Sequence, residues 1–329
     1  MQAEAFLTGG SGLLGGHLLA RLTSSGVSVR ALARSDRAVE AVSEHGAEPV
    51  RGDLFDAYVL EKGMGGIGVV YHLAGVNEMC SRDPGSMDRV NIDGSVAVVR
   101  AAAAAGVRRV VCTSSAVAIG EREGMIGDEH TVHSGEYVSA YAASKHLAEM
   151  AAFEEADRLG VDLVAVNPSS VQGPGRATGS AELLLRSLNT QRPLLVDTTL
   201  SIVDIEDCTT GHINAAEYGR AGERYILSGA TLSIAEAVVL LSEAVGREIH
   251  PRWLSRGFVR TVGMTAARLA AVVRPSLGIC PELITTLLHG HRFDGSRAST
   301  ELRFTYTEVS DTINRTVRWF EEQGLITVH

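Results

Sequence analysis

Apolar residues in the first half of the chain come in short, nearly unbroken runs, separated by longer stretches with helical periodicity. "EAFLTGG", "VSVRALAR", "AEPVRGDL", "GVVYHLAG", "RRVVCTSSAVA" and "VDLVAVNPSS" predict strands. "GLLGGHLLARLTSSG", "AVEAVSEHG" and "MDRVNIDGSVAVVRAAAAAG" predict helices stopped at Gly26, Gly46 and Gly106, where a residue without Cβ takes the cap. A further helix is predicted from Tyr141 to Leu159. Strands that are apolar throughout are buried on both faces. Strands alternating with helices are joined by crossovers. The pattern therefore specifies an α/β fold: a doubly wound parallel sheet covered on both sides.

Beyond about residue 170 the alternation loosens. "QGPGRATGS" reads as a glycine-rich loop, and "SIVDIEDCTTGHINAAEYG" as a strand and then a helix with Asp207 as N-cap. "ERYILSG" reads as a strand, "SIAEAVVLLSEAVG" as a helix, and residues 319–329 as a helix end and tail. A smaller, mostly helical C-terminal lobe is expected. The first domain is drawn at residues 1–170, with 201–230 returning to it; residues 171–200 and 231–329 form the second lobe.

The turn after the first strand carries the first chemistry. In "TGGSGLLGG", residues 8–16, Gly10, Gly12 and Gly15 fit G-x-G-x-x-G, while Thr8, Gly9, Gly12 and Gly15 fit T-G-x-x-G-x-x-G. Between a strand and a helix, such glycines let the backbone approach a pyrophosphate at the helix N-terminus, here opened by Leu13 and Leu14. A tight turn without a ligand is the plainer explanation, and the position at the start of an α/β sheet weighs against it. The fold is thus read as the dinucleotide-binding Rossmann type. At the end of the second strand Ala33 stands where an acid would hold the ribose of NAD, and Arg34 follows. An arginine there suits a 2′-phosphate, so NADP (NADPH) is favoured over NAD, with Arg37 in support and Asp36 as the opposing feature. Asp53 and Leu54 in "GDL", and Leu73, Ala74 and Gly75 in "HLAG", follow the third and fourth strands as further cofactor positions.

Composition narrows the class. The 329 residues are 45% hydrophobic and 21% charged, with a formal charge of −9 and no long basic run. Neither nucleic acid nor a membrane surface is expected as a partner. Cys80, Cys112, Cys208 and Cys280 lie far apart and form no Cys-x-x-Cys pair, so four reduced thiols in a cytoplasmic protein are expected. The N-terminus lacks the basic region and cleavage site of a signal peptide. The apolar stretch Val259 to Ile279 carries Arg260, Arg268 and Arg274, and reads as an amphipathic core or interface helix.

"YAASKHLAEM", residues 141–150, places Tyr141 and Lys145 at i and i+4, stacked on one helix face. A phenol of pKa about 10 needs roughly 4 kcal/mol of differential stabilisation to titrate near neutrality. A nearby ammonium and an oxidised nicotinamide both act in that direction. Thr113, Ser114 and Ser115 in "CTSSA", at the end of the fifth strand, offer hydroxyls to hold a substrate oxygen.

Taken in order, TGGSGLLG, GDL, YHLAG, VNIDGS, VVCTSSA, YAASKHLAE and NPSSVQGPG resemble the extended short-chain dehydrogenase/reductases, and span nearly all of residues 6–175. The resemblance implies Ser115 as catalytic serine, Tyr141 as general acid/base, and Lys145 as the residue that binds the nicotinamide ribose and tunes the tyrosine. It places Asn91 on a helix facing the site and Asn167–Ser170, with Pro168 and Ser170, beside the nicotinamide; Thr113 joins the cofactor contacts. The second half resembles the dihydroflavonol reductase-like branch, including its hopanoid-associated sugar epimerase-like members. Asn167 and Gln172 depart from the arginine and tyrosine of many nucleotide-sugar epimerases.

The expected function is NADPH-dependent reduction of a ketone or aldehyde, reversible as alcohol oxidation, on a small-molecule carbonyl or alcohol substrate. The alternatives are a nucleotide-sugar epimerase/dehydratase with retained NAD(P) and, lower, a non-catalytic dinucleotide-sensing protein. The resemblance implies a homodimer through the helices around 91–105 and 141–158. No metal is expected: "HGH" at 289–291 has no Cys, Asp or Glu at ligand spacing, so both histidines read as loop residues. His130 and His133 lie in the 121–139 loop, which borders the substrate; for them a solvated role is favoured over contact. Asp204, Glu206 and Asp207 read as a strand end with a helix cap, and Trp253 and Trp319 as packing anchors.

Overall fold

The computed structural model describes residues 4–273 and 279–327. Among the described residues the strands are β1 (Ala5–Thr8), β2 (Val29–Ala33), β3 (Glu48–Arg51), β4 (Val69–His72), β5 (Arg109–Thr113), β6 (Asp162–Pro168), β7 (Ser170–Gln172), β8 (Leu194–Val196), β9 (Thr199–Asp204), β10 (Arg224–Leu227), β11 (Ala230–Ser233) and β12 (Arg252–Leu254). The helices of the first half are α1 (Leu13–Ser24), α2 (Asp36–Glu44), α3 (Ala57–Met64), α4 (Pro84–Asp88), α5 (Gly94–Ala104) and α6 (Ala140–Leu159). Those of the second are α7 (Ser180–Leu188), α8 (Ile205–Tyr218), α9 (Ile234–Val245), α10 (Arg256–Phe258), α11 (Met264–Val273), α12 (Pro281–His289), α13 (Ser296–Glu301) and α14 (Val309–Glu322).

Seven strands form the main sheet in the order β10-β6-β5-β4-β1-β2-β3, all parallel. The order reverses beside β1, which creates the crevice at the strand ends where such sheets receive ligands. The apolar runs explain the layers. Leu7, Ala31, Val111 and Val164 face one core with Leu18, Leu22, Cys208 and Ala215 of α1 and α8. Phe6, Val70, Val110 and Leu163 face the other, with Leu60, Val98, Ala102 and Ala152 of α3, α5 and α6. One residue inverts the face, as the two-residue strand period requires.

β7, β9 and β11 form a small separate sheet, and β8 pairs with β12. A third core joins Leu184 and Leu188 of α7, Val238 and Leu241 of α9, and Ile313, Val317 and Phe320 of α14. Ser233 and Glu236 close a reciprocal capping box at the start of α9.

Several expectations are corrected. α3 has no counterpart among the predicted elements. The long predicted helix is broken at Arg89–Asp93 into one π turn between α4 and α5, a distortion common at functional sites. The cap of α8 is Asp204, which accepts from the Glu206 amide at 2.8 Å; Asp207 sits inside the first turn and holds Thr307 instead. Trp253 is 46% exposed and anchors no core, whereas Trp319 packs against the third one. In α11, Ala267 is buried while Leu269, Val272 and Val273 are exposed; Arg274 and the rest of that stretch up to residue 278 lie outside the described residues, as do residues 328–329. Cys80 and Cys280 are joined in a disulfide across 200 residues, and only Cys112 and Cys208 are free thiols. Spacing along the chain hides that pair because the loop after β4 and the start of α12 meet only in the folded state.

Candidate active site

Apart from Tyr141 and Lys145 on α6, the sequence-predicted positions follow the C-terminal ends of β3, β2, β1, β4, β5 and β6, in spatial order. Where β1 turns into α1, Gly9 holds φ +79°, and a Cβ there would stand 2.6 Å from the Ala74 nitrogen. A Cβ on Gly15 would stand 2.1 Å from the Gly9 oxygen. Gly12 caps α1 with no side-chain hydrogen bond, so no cap side chain satisfies the first-turn N–H groups. A bare backbone cradle at the start of a three-turn helix fits a dinucleotide pyrophosphate. Leu13 and Leu14 open α1, half-buried.

Asp53 follows β3 and accepts from the Phe55 amide at 3.0 Å, while Leu54 is buried against Gly94. Arg34 and Arg37 stand exposed after β2. Asp36, the opposing acid, is engaged by Arg51 of β3.

The loop after β4 is held by a proton chain whose direction follows from its members. Ser95 Oγ donates to the Asn91 carbonyl at 2.6 Å, so it accepts from His72 Nε2 at 3.1 Å. His72 Nδ1 then accepts from Thr8 Oγ1 at 2.7 Å, and Thr8 Oγ1 accepts from the Ala74 amide at 3.2 Å. Burial, with the Lys145 charge adding, pushes the His72 pKa down to about 3, so the ring is the neutral tautomer this chain requires. Asn91, on the π turn, clamps Val76 with both amide atoms, at 2.7 and 3.0 Å, and donates to Ser144 Oγ at 2.9 Å. Leu73, Ala74 and Gly75 are thereby fixed beside the glycine turn.

α6 starts at the Ser139 cap and carries Tyr141, Lys145 and Glu149 one turn apart on one face. Lys145 Nζ donates to the Thr113 carbonyl at 2.8 Å. A Cβ on Gly75 would stand 3.7 Å from Lys145 Nζ and 3.1 Å from Asn91 Oδ1, so Lys145, Asn91, Gly75 and the end of β5 converge. Ser115 is buried two residues past Thr113, at the head of the 3-10 turn Ala116–Ile119. Tyr141 is half-buried one helical turn before Lys145. Pro168 and Ser170 flank the crossing from β6 to β7.

Three further groups join the site, and the local sequence hints at only one of them. Glu149 is buried, ion-paired to Arg224 at 3.0 Å, and receives Asn167 Nδ2 at 2.6 Å. Asn167 also reaches the Ser115 carbonyl at 3.2 Å. The i+4 spacing from Lys145 is the one clue to Glu149. His212 of α8 meets Thr113: its Nδ1 donates to the Cys208 carbonyl at 2.7 Å, so Nε2 accepts from Thr113 Oγ1 at 2.9 Å. Burial lowers the His212 pKa to about 4, against that backbone bond, and keeps the ring neutral. The Thr113 hydroxyl is thus committed to His212. Glu282 of α12 accepts from the Cys80 and Ala140 amides at 3.3 and 3.0 Å, pinning the start of α6 to the loop after β4.

Among the histidines, His130 is exposed as expected, but His133 packs on His146 with ring centroids 4.0 Å apart. His289 and His291 are no ordinary loop residues: both contact buried Glu121, 168 and 170 residues away in sequence. Cys112 is buried, which pushes its thiol up to about 11, out of reach as a nucleophile.

Comparisons with known proteins give the family of the chain. The model of the NAD dependent epimerase/dehydratase family matches residues 5–228, more than half of the chain. A protein of Synechocystis sp. named "Putative dihydroflavonol 4-reductase" is 31% identical over 98% of this chain and 95% of its own. A Stigmatella aurantiaca 4-hydroxy-2-methyl-3-oxo-4-farnesyl-3,4-dihydroquinoline-1-oxide ketoreductase is 32% identical over 83% of this chain and 80% of its own. The crystal structure of gox2253 superposes with a TM-score of 0.85 at 27% identity, covering 98% of this chain and 99% of that one. Among the described residues no helix is long and apolar enough to cross a membrane. The chain therefore belongs to the NAD-dependent epimerase/dehydratase family, as an extended short-chain dehydrogenase/reductase and an NAD(P)-dependent oxidoreductase.

Proposed function

We propose that this protein reduces a ketone or aldehyde with NADPH, and oxidises the matching alcohol in reverse, at Ser115, Tyr141 and Lys145. The observation that carries the reading is the 2.8 Å bond from Lys145 to the Thr113 carbonyl, which ties the helix bearing Tyr141 to the strand end bearing Ser115. When bound, the nicotinamide supplies the hydride. Ser115 donates a hydrogen bond to the carbonyl oxygen, and Tyr141 gives that oxygen its proton. Lys145 lowers the free-energy cost of the phenolate left behind. The cofactor is held by Gly9, Gly12, Leu13, Leu14 and Gly15 at the pyrophosphate, by Asp53 and Leu54 at the adenine, and by Leu73–Gly75, Thr113, Pro168 and Ser170 towards the nicotinamide. NADPH is preferred because Arg34 and Arg37 stand free beyond β2 while Asp36 is taken by Arg51.

The substrate lobe is residues 171–200 and 231–329, set against a dinucleotide domain of residues 1–170 with 201–230. The ketoreductase named above supports a carbonyl substrate. Exposed Leu147 and Met150 on α6 support a homodimer through that helix. A cytoplasmic location rests on the free buried thiols Cys112 and Cys208, and makes the Cys80–Cys280 bond one that a reducing compartment would open.

The test is NADPH oxidation across a ketone and aldehyde panel with the wild type and Tyr141→Phe. The substitution is expected to slow turnover by roughly 100-fold or more while NADPH binding, read by fluorescence, persists. Equal rates in both proteins refute the role of Tyr141. Tightly retained cofactor with no net NADPH consumption would replace the reading with an epimerase or dehydratase, and binding without turnover with a dinucleotide sensor.

A further inference from the structure

Outside the row of strand ends, three polar side chains from two distant segments converge. Glu121 follows the 3-10 turn after Ser115, and is 3% exposed. His289 is the last residue of α12, and His291 lies just beyond it. Glu121 Oε1 stands 3.2 Å from His289 Nε2 and 2.7 Å from His291 Nδ1, and the three ligand atoms all lie within 4.8 Å of one another.

The arrangement is built into the backbone on both sides. Gly290 between the two histidines holds φ +68°, and a Cβ there would stand 2.3 Å from Thr198 Oγ1. Its carbonyl accepts from Thr199 Oγ1 at 2.7 Å, and Ser201 Oγ accepts from the Phe293 amide at 3.1 Å, so the His-Gly-His segment is fastened to β9. Opposite, Gly127 and residues 292–294 exchange backbone hydrogen bonds of 2.8 and 2.9 Å.

Hydrogen bonding inside the cluster leaves it unsatisfied. Glu121 Oε2 and His291 Nε2 are both buried without a partner. A neutral imidazole has one N–H and one bare nitrogen. If His291 donates to Glu121 from Nδ1, its Nε2 is a buried bare acceptor. If Nε2 carries the proton, the Nδ1 lone pair faces a carboxylate oxygen. Either state strands a polar group inside the protein, which is costly. A cation among the three inner atoms takes up the His291 Nδ1 lone pair, with the ring proton on Nε2, and offers Glu121 Oε2 a second ligand place.

We propose that Glu121, His289 and His291 bind a divalent transition-metal ion of the zinc class, clipping the loop after β5 to the C-terminal lobe. Two imidazoles and a carboxylate are the donors such ions prefer. Ligand bonds of about 2.1 Å in a tetrahedron put donor atoms about 3.4 Å apart, so the two Glu121–histidine separations need widen by only about 0.7 Å or less. Three protein ligands leave one coordination position for water or another oxygen donor.

The full chain, stripped with chelator and dialysed, is titrated with Zn2+ by calorimetry and with Co2+ by visible absorption. One equivalent should bind with micromolar or tighter affinity, and Co2+ should show d–d bands of a low-coordinate nitrogen/oxygen site. Glu121→Gln and His291→Gln should each weaken Zn2+ binding by ~100-fold or more. His289→Cys keeps a ligand in place, and should bind Co2+ with an added thiolate-to-cobalt charge-transfer band. That band locates the ion at this cluster even where the other two variants fail to fold. No binding at one equivalent, affinity unchanged in folded variants, or a Co2+ complex of His289→Cys without the charge-transfer band overturns the proposal, and leaves a cluster held by protons alone.

Discussion

The Lys145 ammonium rests on the carbonyl oxygen of Thr113, 2.8 Å away, so the helix that carries Tyr141 and the strand end that leads to Ser115 are held as one unit. Lys145→Met keeps the stem and removes the charge. Turnover should fall by roughly 100-fold or more. Thermal stability should change by only about 1 kcal/mol, the worth of one hydrogen bond. Stopped assays with the folded variant check this; an unchanged rate would separate Lys145 from the chemistry.

Arg34 tests the cofactor. A charge-assisted contact to a 2′-phosphate contributes about 1.5–3 kcal/mol. Arg34→Ala should therefore lower kcat/KM for NADPH by roughly 10- to 100-fold and leave NADH almost untouched. An equal loss with both cofactors would place Arg34 away from the phosphate.

His72 and His212 make stability depend on pH. Burial brings their folded pKa values to about 3 and about 4, against 6.5 in the unfolded chain. Above pH 6.5 both states are neutral, and this stability is fully present. Below it the unfolded chain takes up protons that the folded one refuses, so stability is lost as pH falls towards the folded values. Between pH 7 and 5.5 the two rings together should remove about 2–3 kcal/mol. Urea unfolding at the two pH values measures this, and His212→Asn should lose about half as much. A stability that rises on acidification would contradict the neutral assignment of both rings.

The Cys80–Cys280 bond predicts a thiol count. Denatured without reductant, the chain should show two reactive thiols, Cys112 and Cys208, and four after reduction. Reduction should cost up to about 5 kcal/mol of stability, because the unfolded chain regains the freedom of a very long loop. The bond also stands beside Glu282, which holds the start of α6. Four thiols before reduction would mean that the pair is open in solution.

Much of the site was legible along the chain because its parts are local. The glycines of residues 8–16 announce themselves by spacing, and the structure shows why: at Gly9 and Gly15 a Cβ would collide with backbone. Tyr141 and Lys145 are read from one helical turn. The strands of the first half were visible because a doubly covered parallel sheet demands unbroken apolar runs. The second half was read less well. The cap of α8 was placed at Asp207 and lies at Asp204, since either acid can start a helix and only the fit of Asp207 to Thr307 decides between them.

Period, glycine spacing and helix caps act over a few residues, so the amino-acid order alone specified a doubly wound sheet, a backbone cradle at its first turn and a phenol–amine pair on one helix face. Folding decided everything that joins distant segments: His212 on Thr113, Glu149 under Asn167, Cys80 bonded to Cys280, and Glu121 between His289 and His291. Those partners stand 18 to 200 residues apart. They meet because the strand order brings their elements side by side, and no local pattern records which buried polar group will face which.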